Sequence, residues 1–319
     1  MGVAHQRPPL PRPPRGGRPH PARVASYLLR GRVHTQADRA FAESLVSQWP
    51  RWAADLRASE VFLTRAVRGL YRDGFDQVVD VSPVLPTPDG PYGTAGVGAR
   101  VRLVRVDPDP ATAAQSTALI RDTRHRVVER DPQNPGAVVA TIRSHRLLDL
   151  RRPVVLLAGC GAWESLPTES VLEGVLSAWG RALPDGSVLV FTHDSDDART
   201  AVEVTAARAA RILYASLGLV FTARKAAALD LALRNTGWVP TRPPALLTPT
   251  GTPVDGPTPS PVGRLHSRVA SVVAGIAEYR PRRRARAGRT SGSVPDFSGL
   301  PEVCAESDGP AWHDAEERR

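Results

Sequence analysis

Two aspartates close apolar runs in a chain otherwise poor in clustered chemistry. Asp80 ends Gln77-Val78-Val79, and Asp107 ends Val101–Val106 about two dozen residues later. A carboxylate at the end of the second strand of an open parallel sheet is placed to accept hydrogen bonds from the two hydroxyls of a ribose. Asp107 fits that role, with Asp109 behind it in the turn Asp107-Pro108-Asp109-Pro110. It fits equally well as an acid ahead of a helix that starts at Pro110. Asp80 could serve the same ligand or accept N–H groups of its own loop. Arg130-Asp131 follows a third short strand and could approach a base or pair internally.

Other candidates carry less. His193, Asp194, Asp196 and Asp197 lie close together, but their spacing matches no metal pattern and suits solvated loop acids. Cys160 sits between Gly159 and Gly161 and reads as a small apolar filler. With Cys304 it is too far apart in sequence for a disulfide framework. Trp163 could stack on a ligand or simply pack. No Ser-His-Asp or Cys-His set has meaningful spacing.

The elements that must position these residues alternate along the chain. Thr35 caps a helix that Trp49-Pro50 stops, and a longer one runs from about Trp52 to Tyr71. Strands are expected at Phe75–Val81, Val101–Val106, Arg126–Glu129, Pro153–Ala158, Ser187–Thr192 and near Gly237–Val239. Helices between them start at Pro110, Asn134-Pro135 and Thr168, then run to about Leu217 and over Ala223–Arg234. This alternation predicts an α/β fold: a doubly wound, mostly parallel sheet, with the two leading helices as a lid or side wall. Right-handed crossovers put Asp80 and Asp107 on one edge. Pro88–Gly98 holds four glycines and two prolines, which argues against a helix there.

Composition places the charge outside this core. The net charge is +10, yet residues 24–279 carry only +4 of it. Five arginines precede Val24, six lie between Arg280 and Arg289, and the stretch from Thr290 onward is acidic. Seven prolines precede Ala22 and eight fall from Pro240 to Pro261. The expected division is a disordered Pro/Arg-rich leader over 1–21, an α/β domain over 22–242, and a largely disordered tail over 243–319 with one helix at 264–280. Arg-rich tails can hold nucleic acid loosely, although a solvated flank fits the same composition. No run suits a membrane span and no apolar leader suits a secretory signal, so a cytoplasmic protein with no membrane partner is expected.

Several segments, taken in order, resemble an S-adenosyl methyltransferase family abundant in actinomycetes. They are His20-Pro21-Ala22-Arg23-Val24, Tyr27–Arg32, Ala37-Asp38-Arg39 and Phe62–Val67. Gln77–Thr87, Val106–Pro110, Arg130-Asp131-Pro132, Pro153–Leu157 and Gly186–Val190 with His193 complete the series. The resemblance spans about residues 20–242. It implies a Rossmann-like class I methyltransferase fold, S-adenosyl-L-methionine as cofactor, and a small-molecule methyl acceptor. The cofactor-binding residues it implies are Asp80, Ser82, Val84, Asp107, Asp109, Arg130, Asp131 and Gly159. No catalytic base is named.

The chain departs from the family pattern at the site. Ser82-Pro83-Val84 stands where the family has Gly-Thr-Gly, which puts side chains into a gap that glycines leave bare. Ser59-Glu60 replaces Asn-Arg, Val128 replaces an acid, and Ala162-Trp163 replaces Leu-His. These departures leave a second function class open: a non-catalytic relative that has lost the cofactor and acts as a scaffold.

Overall fold

The computed structural model describes residues 17–87, 101–120, 122–159, 161–197, 199–254 and 271–281. Three helices lead: α1 (Pro21–Leu28), α2 (Gln36–Gln48) and α3 (Trp52–Arg72). The alternation follows as β1 (Gln77–Asp80), β2 (Arg102–Asp107), α4 (Pro110–Leu119), β3 (His125–Glu129), α5 (Pro135–Ser144), β4 (Val155–Ala158), α6 (Glu169–Ala182) and β5 (Val188–Asp194). Then come α7 (Ala201–Ser216), α8 (Ala226–Asn235), β6 (Trp238–Pro240), β7 (Ala245–Leu246) and β8 (Val272–Tyr279).

The sheet runs β3-β2-β1-β4-β5-β8-β6, with β7 also paired to β8. Strands β1 to β5 pair in parallel, and β8 is antiparallel to β5, β6 and β7. Parallel pairing collects the C-ends of β1, β2, β3 and β4 on one edge, where ligands of such sheets bind. The expected Rossmann-like α/β class is what the chain adopts.

Local chemistry explains where the helices begin. Thr35 and Asp38 form a reciprocal capping box on α2, and Thr200 and Glu203 form another on α7. Asp109, Asn134 and Thr168 cap α4, α5 and α6 through side-chain oxygens, and proline stands in the first turn of α4 and α5.

One sheet face buries Val79, Val104, Val106, Leu156 and Leu189 against α5, α6 and α8. Helices α3 and α4 pack on the sheet as well, at β5 and β8 and at β2 and β3 respectively. A separate core joins α1, α2, the start of α3 and α7, and takes in Val84 from the loop after β1. The leading helices therefore do form a side wall over the strand ends.

Two expectations fail: the domain does not end at 242, because β7 and β8 belong to its sheet, and the helix expected in the tail does not form. Instead of a helix across 264–280, residues 272–279 form β8. Val272, Val273, Ala274, Ile276 and Ala277 are buried, and the strand bonds to β5 on one edge and to β6 and β7 on the other. A helix there would leave the main-chain groups along β5 without partners. Residues 264–270 of that expectation, the segment Pro88–Gly98, Cys160 and the Arg-rich stretch 282–289 lie outside the described residues. No described helix is long and apolar enough to cross a membrane.

Candidate functional site

The C-end of β1 is built around a buried ion pair. Asp80 and Arg105 are direct partners in the β1–β2 register and are 1 % and 2 % exposed. Arg105 donates from Nη1 to Asp80 Oδ2 at 2.8 Å, and from Nη2 to the carbonyls of Ser82 (2.7 Å) and Val84. Asp80 Oδ1 accepts the Ser82 N–H at 2.9 Å. The guanidinium thus fixes the loop after β1 from behind, its planar fork spanning a carboxylate and two carbonyls. Half-buried Glu60 on α3 sits near this pair. Burial first, and then the Asp80 charge, push its carboxyl up to about 7, while Arg105 pulls the other way.

The side chains of that loop are housed by the loop after β4. Ser82 Oγ accepts the Gly159 N–H at 2.7 Å. A Cβ on Gly159 would stand 2.8 Å from that same Oγ. Gly161 adopts φ +96°, and a Cβ there would stand 2.8 Å from Pro83 Cγ. The bulk in Ser82-Pro83 is therefore received by two glycines across the sheet edge.

Glu164, fully buried, holds the receiving loop in shape. Its Oε2 accepts the Gly161 and Trp163 N–H groups at 2.8 and 3.2 Å, and its Oε1 accepts Asp194 N–H at 3.0 Å.

A cavity of about 390 Å³ opens beside these loops at the strand ends. Val81, Pro83, Val84, Val106, Asp107, Pro108, Asp131 and Gly161 are among its walls. Sequence reading placed bulk in this gap, yet the space remains, because Ser82 turns toward Gly159 and Pro83 rests on Gly161. Asp107 is 5 % exposed and accepts the Asp109 N–H at 3.0 Å. Burial pushes its carboxyl up to about 6, against the pull of that N–H and of Arg105.

Three of the eight expected residues line this cavity: Val84, Asp107 and Asp131. Asp80 and Ser82 stand behind the loop, and Gly159 receives Ser82. Asp109 caps α4 through Thr112 N–H at 2.7 Å. Arg130 is exposed, bonded to Thr141 Oγ1 and Glu129 O rather than to Asp131. The His193 group is structural: His193 Nδ1 bonds Asp194 O at 2.7 Å, and Arg224 Nη1 bonds His193 Nε2 at 3.1 Å. Asp194 pairs with Arg199 and Arg211. No cluster among the described residues could hold a metal ion. Trp163 is buried with its ring 5.8 Å from that of Phe191, in the core rather than on the cavity.

Sequence reading missed three contributors. Arg105 left a signal, a charge in mid-strand two residues before an acid. The arm Arg18–Pro21 lines the cavity and is held by Asp38, whose carboxylate accepts from His20 N, Arg23 Nε, Thr35 N and Thr35 Oγ1 at 2.7–2.9 Å. Trp52, Tyr214 and Phe221 come together only in three dimensions, so nothing in their spacing announced them.

The model of a family described as S-adenosyl methyltransferase matches residues 15–235. The chain belongs to that S-adenosyl methyltransferase family. A crystal structure of a methyltransferase assigned in Thermobifida fusca aligns with a TM-score of 0.67 at 25 % identity, covering 82 % of this chain and 96 % of that one. A DUF574 family protein from Streptomyces avermitilis aligns with a TM-score of 0.68 at 22 % identity, covering 82 % and 98 %. No curated protein matches the sequence.

The family's cofactor is S-adenosyl-L-methionine. The donor set at the strand ends suits it: one buried carboxylate beside an open cavity, with the flat apolar faces of Pro108, Pro132 and Ala162 nearby in its walls. Cavities of this size fall within the range of about 300–1,000 Å³ used for small ligands.

Proposed function

We propose that this S-adenosyl methyltransferase transfers a methyl group to a small-molecule acceptor, with Asp107 holding the ribose of the cofactor. The observation that carries the reading is the open cavity at Asp107, kept clear because Gly159 and Gly161 receive Ser82 and Pro83. S-adenosyl-L-methionine supplies a methyl group already activated on a sulfonium, so the protein's task is mainly alignment. Asp107 accepts the ribose hydroxyls in its ionised form. Asp131, Pro132 and Gln133 bound the cavity at the start of the segment leading to α5, where a base would lie. Val84 and Pro83 close the side toward β1, and Arg105 keeps their main chain fixed.

Calorimetric titration with S-adenosylhomocysteine tests the reading. Saturable binding is expected, weakened about 10- to 100-fold in Asp107→Ala, in keeping with about 1.5–3 kcal/mol for hydrogen bonds to a charged group. An absence of binding by the intact chain at millimolar ligand would favour the non-catalytic scaffold instead.

A further inference from the structure

The walls of the cavity divide by element. Strand ends and their loops contribute the acids and the prolines. Helices α3 and α7, with the loop after α7, contribute Trp52, Leu56, Tyr214, Leu217, Leu219 and Phe221. The three aromatic rings form one contiguous group: Tyr214 and Phe221 stack at 5.1 Å, Trp52 lies 5.0 Å from Phe221, and Trp52 lies 5.6 Å from Tyr214. Leu217, Leu219 and Phe221 are only half-buried, so part of this surface is uncovered in the protein alone. No lining residue from these elements carries a charge. Among the described residues, the charged groups lining the cavity are Arg18, Asp107 and Asp131; those on the strand-end loops are both acids, Asp107 buried and Asp131 exposed. His20, also on the cavity, is held neutral at ordinary pH, chiefly because burial pushes its imidazole down.

We propose that this aromatic wall is the acceptor subsite, and that it takes an uncharged, flat aromatic small molecule. The proposal rests on the methyltransferase reading and adds the class of acceptor to it. Planar π faces prefer offset or tilted partners at the ring separations seen within this group, and each such contact adds to what area burial alone provides. A carboxylated or phosphorylated acceptor would find no cation on this wall and would leave its own charge unpaired against apolar side chains. A flexible aliphatic acceptor would fill the space, but it would order more rotatable bonds to do so.

The test uses the full chain saturated with S-adenosylhomocysteine and three probes: 2-naphthol, 6-hydroxy-2-naphthoic acid and 1-octanol. Binding is read by calorimetry and by quenching of tryptophan fluorescence. The naphthol is expected to bind at least about tenfold more tightly than either of the other two. Phe221→Leu, at a half-buried loop position, is expected to weaken the naphthol about tenfold. Trp52→Leu provides the same comparison from α3. S-adenosylhomocysteine affinity, measured separately for each variant, is the control. Equal or tighter binding of the carboxylate or the octanol overturns the proposal, as does naphthol affinity unchanged in both variants. Failure of S-adenosylhomocysteine to bind the parent chain refutes the methyltransferase reading itself, and is visible before any acceptor probe is added.

Discussion

The loops after β1 and after β4 face each other across one sheet edge and divide two duties between them. The first carries bulk, Ser82-Pro83-Val84, and is pinned by Arg105 through two carbonyls. The second carries Gly159 and Gly161, and is shaped by Glu164 through two N–H groups. In the family pattern the glycines sit in the first loop. What a nucleoside needs is empty space beside the strand ends, and either loop can create it, provided its neighbour fills in. A degenerate glycine motif is therefore weak evidence of a lost site when glycines face it across the edge.

The comparison breaks most visibly if its anchor is removed. Arg105→Ala takes from the buried Asp80 carboxylate its guanidinium partner, and is expected to cost about 3–5 kcal/mol in chemical denaturation. A loss below about 1 kcal/mol would mean that the first loop holds its shape unaided. Gly161→Ala comes next. It demands a left-handed residue with a side chain and drives Cβ into the Pro83 ring, for an expected loss of about 1–3 kcal/mol. Full stability in that variant would show that Pro83 is not seated on this glycine.

Asp107 belongs to neither loop, so its titration separates ligand chemistry from loop packing. Its folded pKa of about 6 lies above the usual carboxylate range. The native state therefore binds more protons than the unfolded chain between about pH 4 and 6, and this carboxyl alone makes the apoprotein more stable as pH falls through that window. Asp55, which burial likewise pushes to about 6, adds to the same slope. With Asp107 in its proposed role on the ribose, affinity for S-adenosylhomocysteine is expected to move the other way, falling toward a limit of tenfold per pH unit below about 6 as the ionised form is lost. Titrations at pH 5, 6 and 7.5 check both signs, and affinity that stays flat would remove Asp107 from the site.

The smallest effect is the most specific. Gly159→Ala is expected to cost about 1 kcal/mol, because its Cβ displaces Ser82 Oγ from the Gly159 N–H. Ser82→Gly in the same chain should recover at least about half of it, giving a coupling of about 0.5 kcal/mol or more. Strict additivity of the two substitutions would show that the loops do not accommodate each other.

Most of the fold was legible in the sequence because its signals are local. Thr35, Thr168, Pro110 and Pro135 marked helix starts, and valine-rich runs marked β1, β2 and β4. Strand β8 was not legible. Its alternating Val272, Ala274, Ile276 sits among alanine and glycine residues, and only the open edges of β5 and β6 decide for a strand. Of the site, Asp107 was legible from its strand-end position, with a helix-terminal role equally open. The destination of Ser82 and Pro83 was not, because the residues that receive them are some 77 positions away in the chain.

The four hydrogen bonds collected by Asp38 have a practical bearing on where the protein can be cut. They tie His20 and Arg23 to the start of α2, and so keep Arg18, Pro19 and Pro21 in place as cavity wall. A shortened version begun at Ala22 for crystallisation, as a boundary drawn from proline content would suggest, would keep every described strand and still lose part of the enclosure. Its ligand would then face water where the intact chain offers a roof.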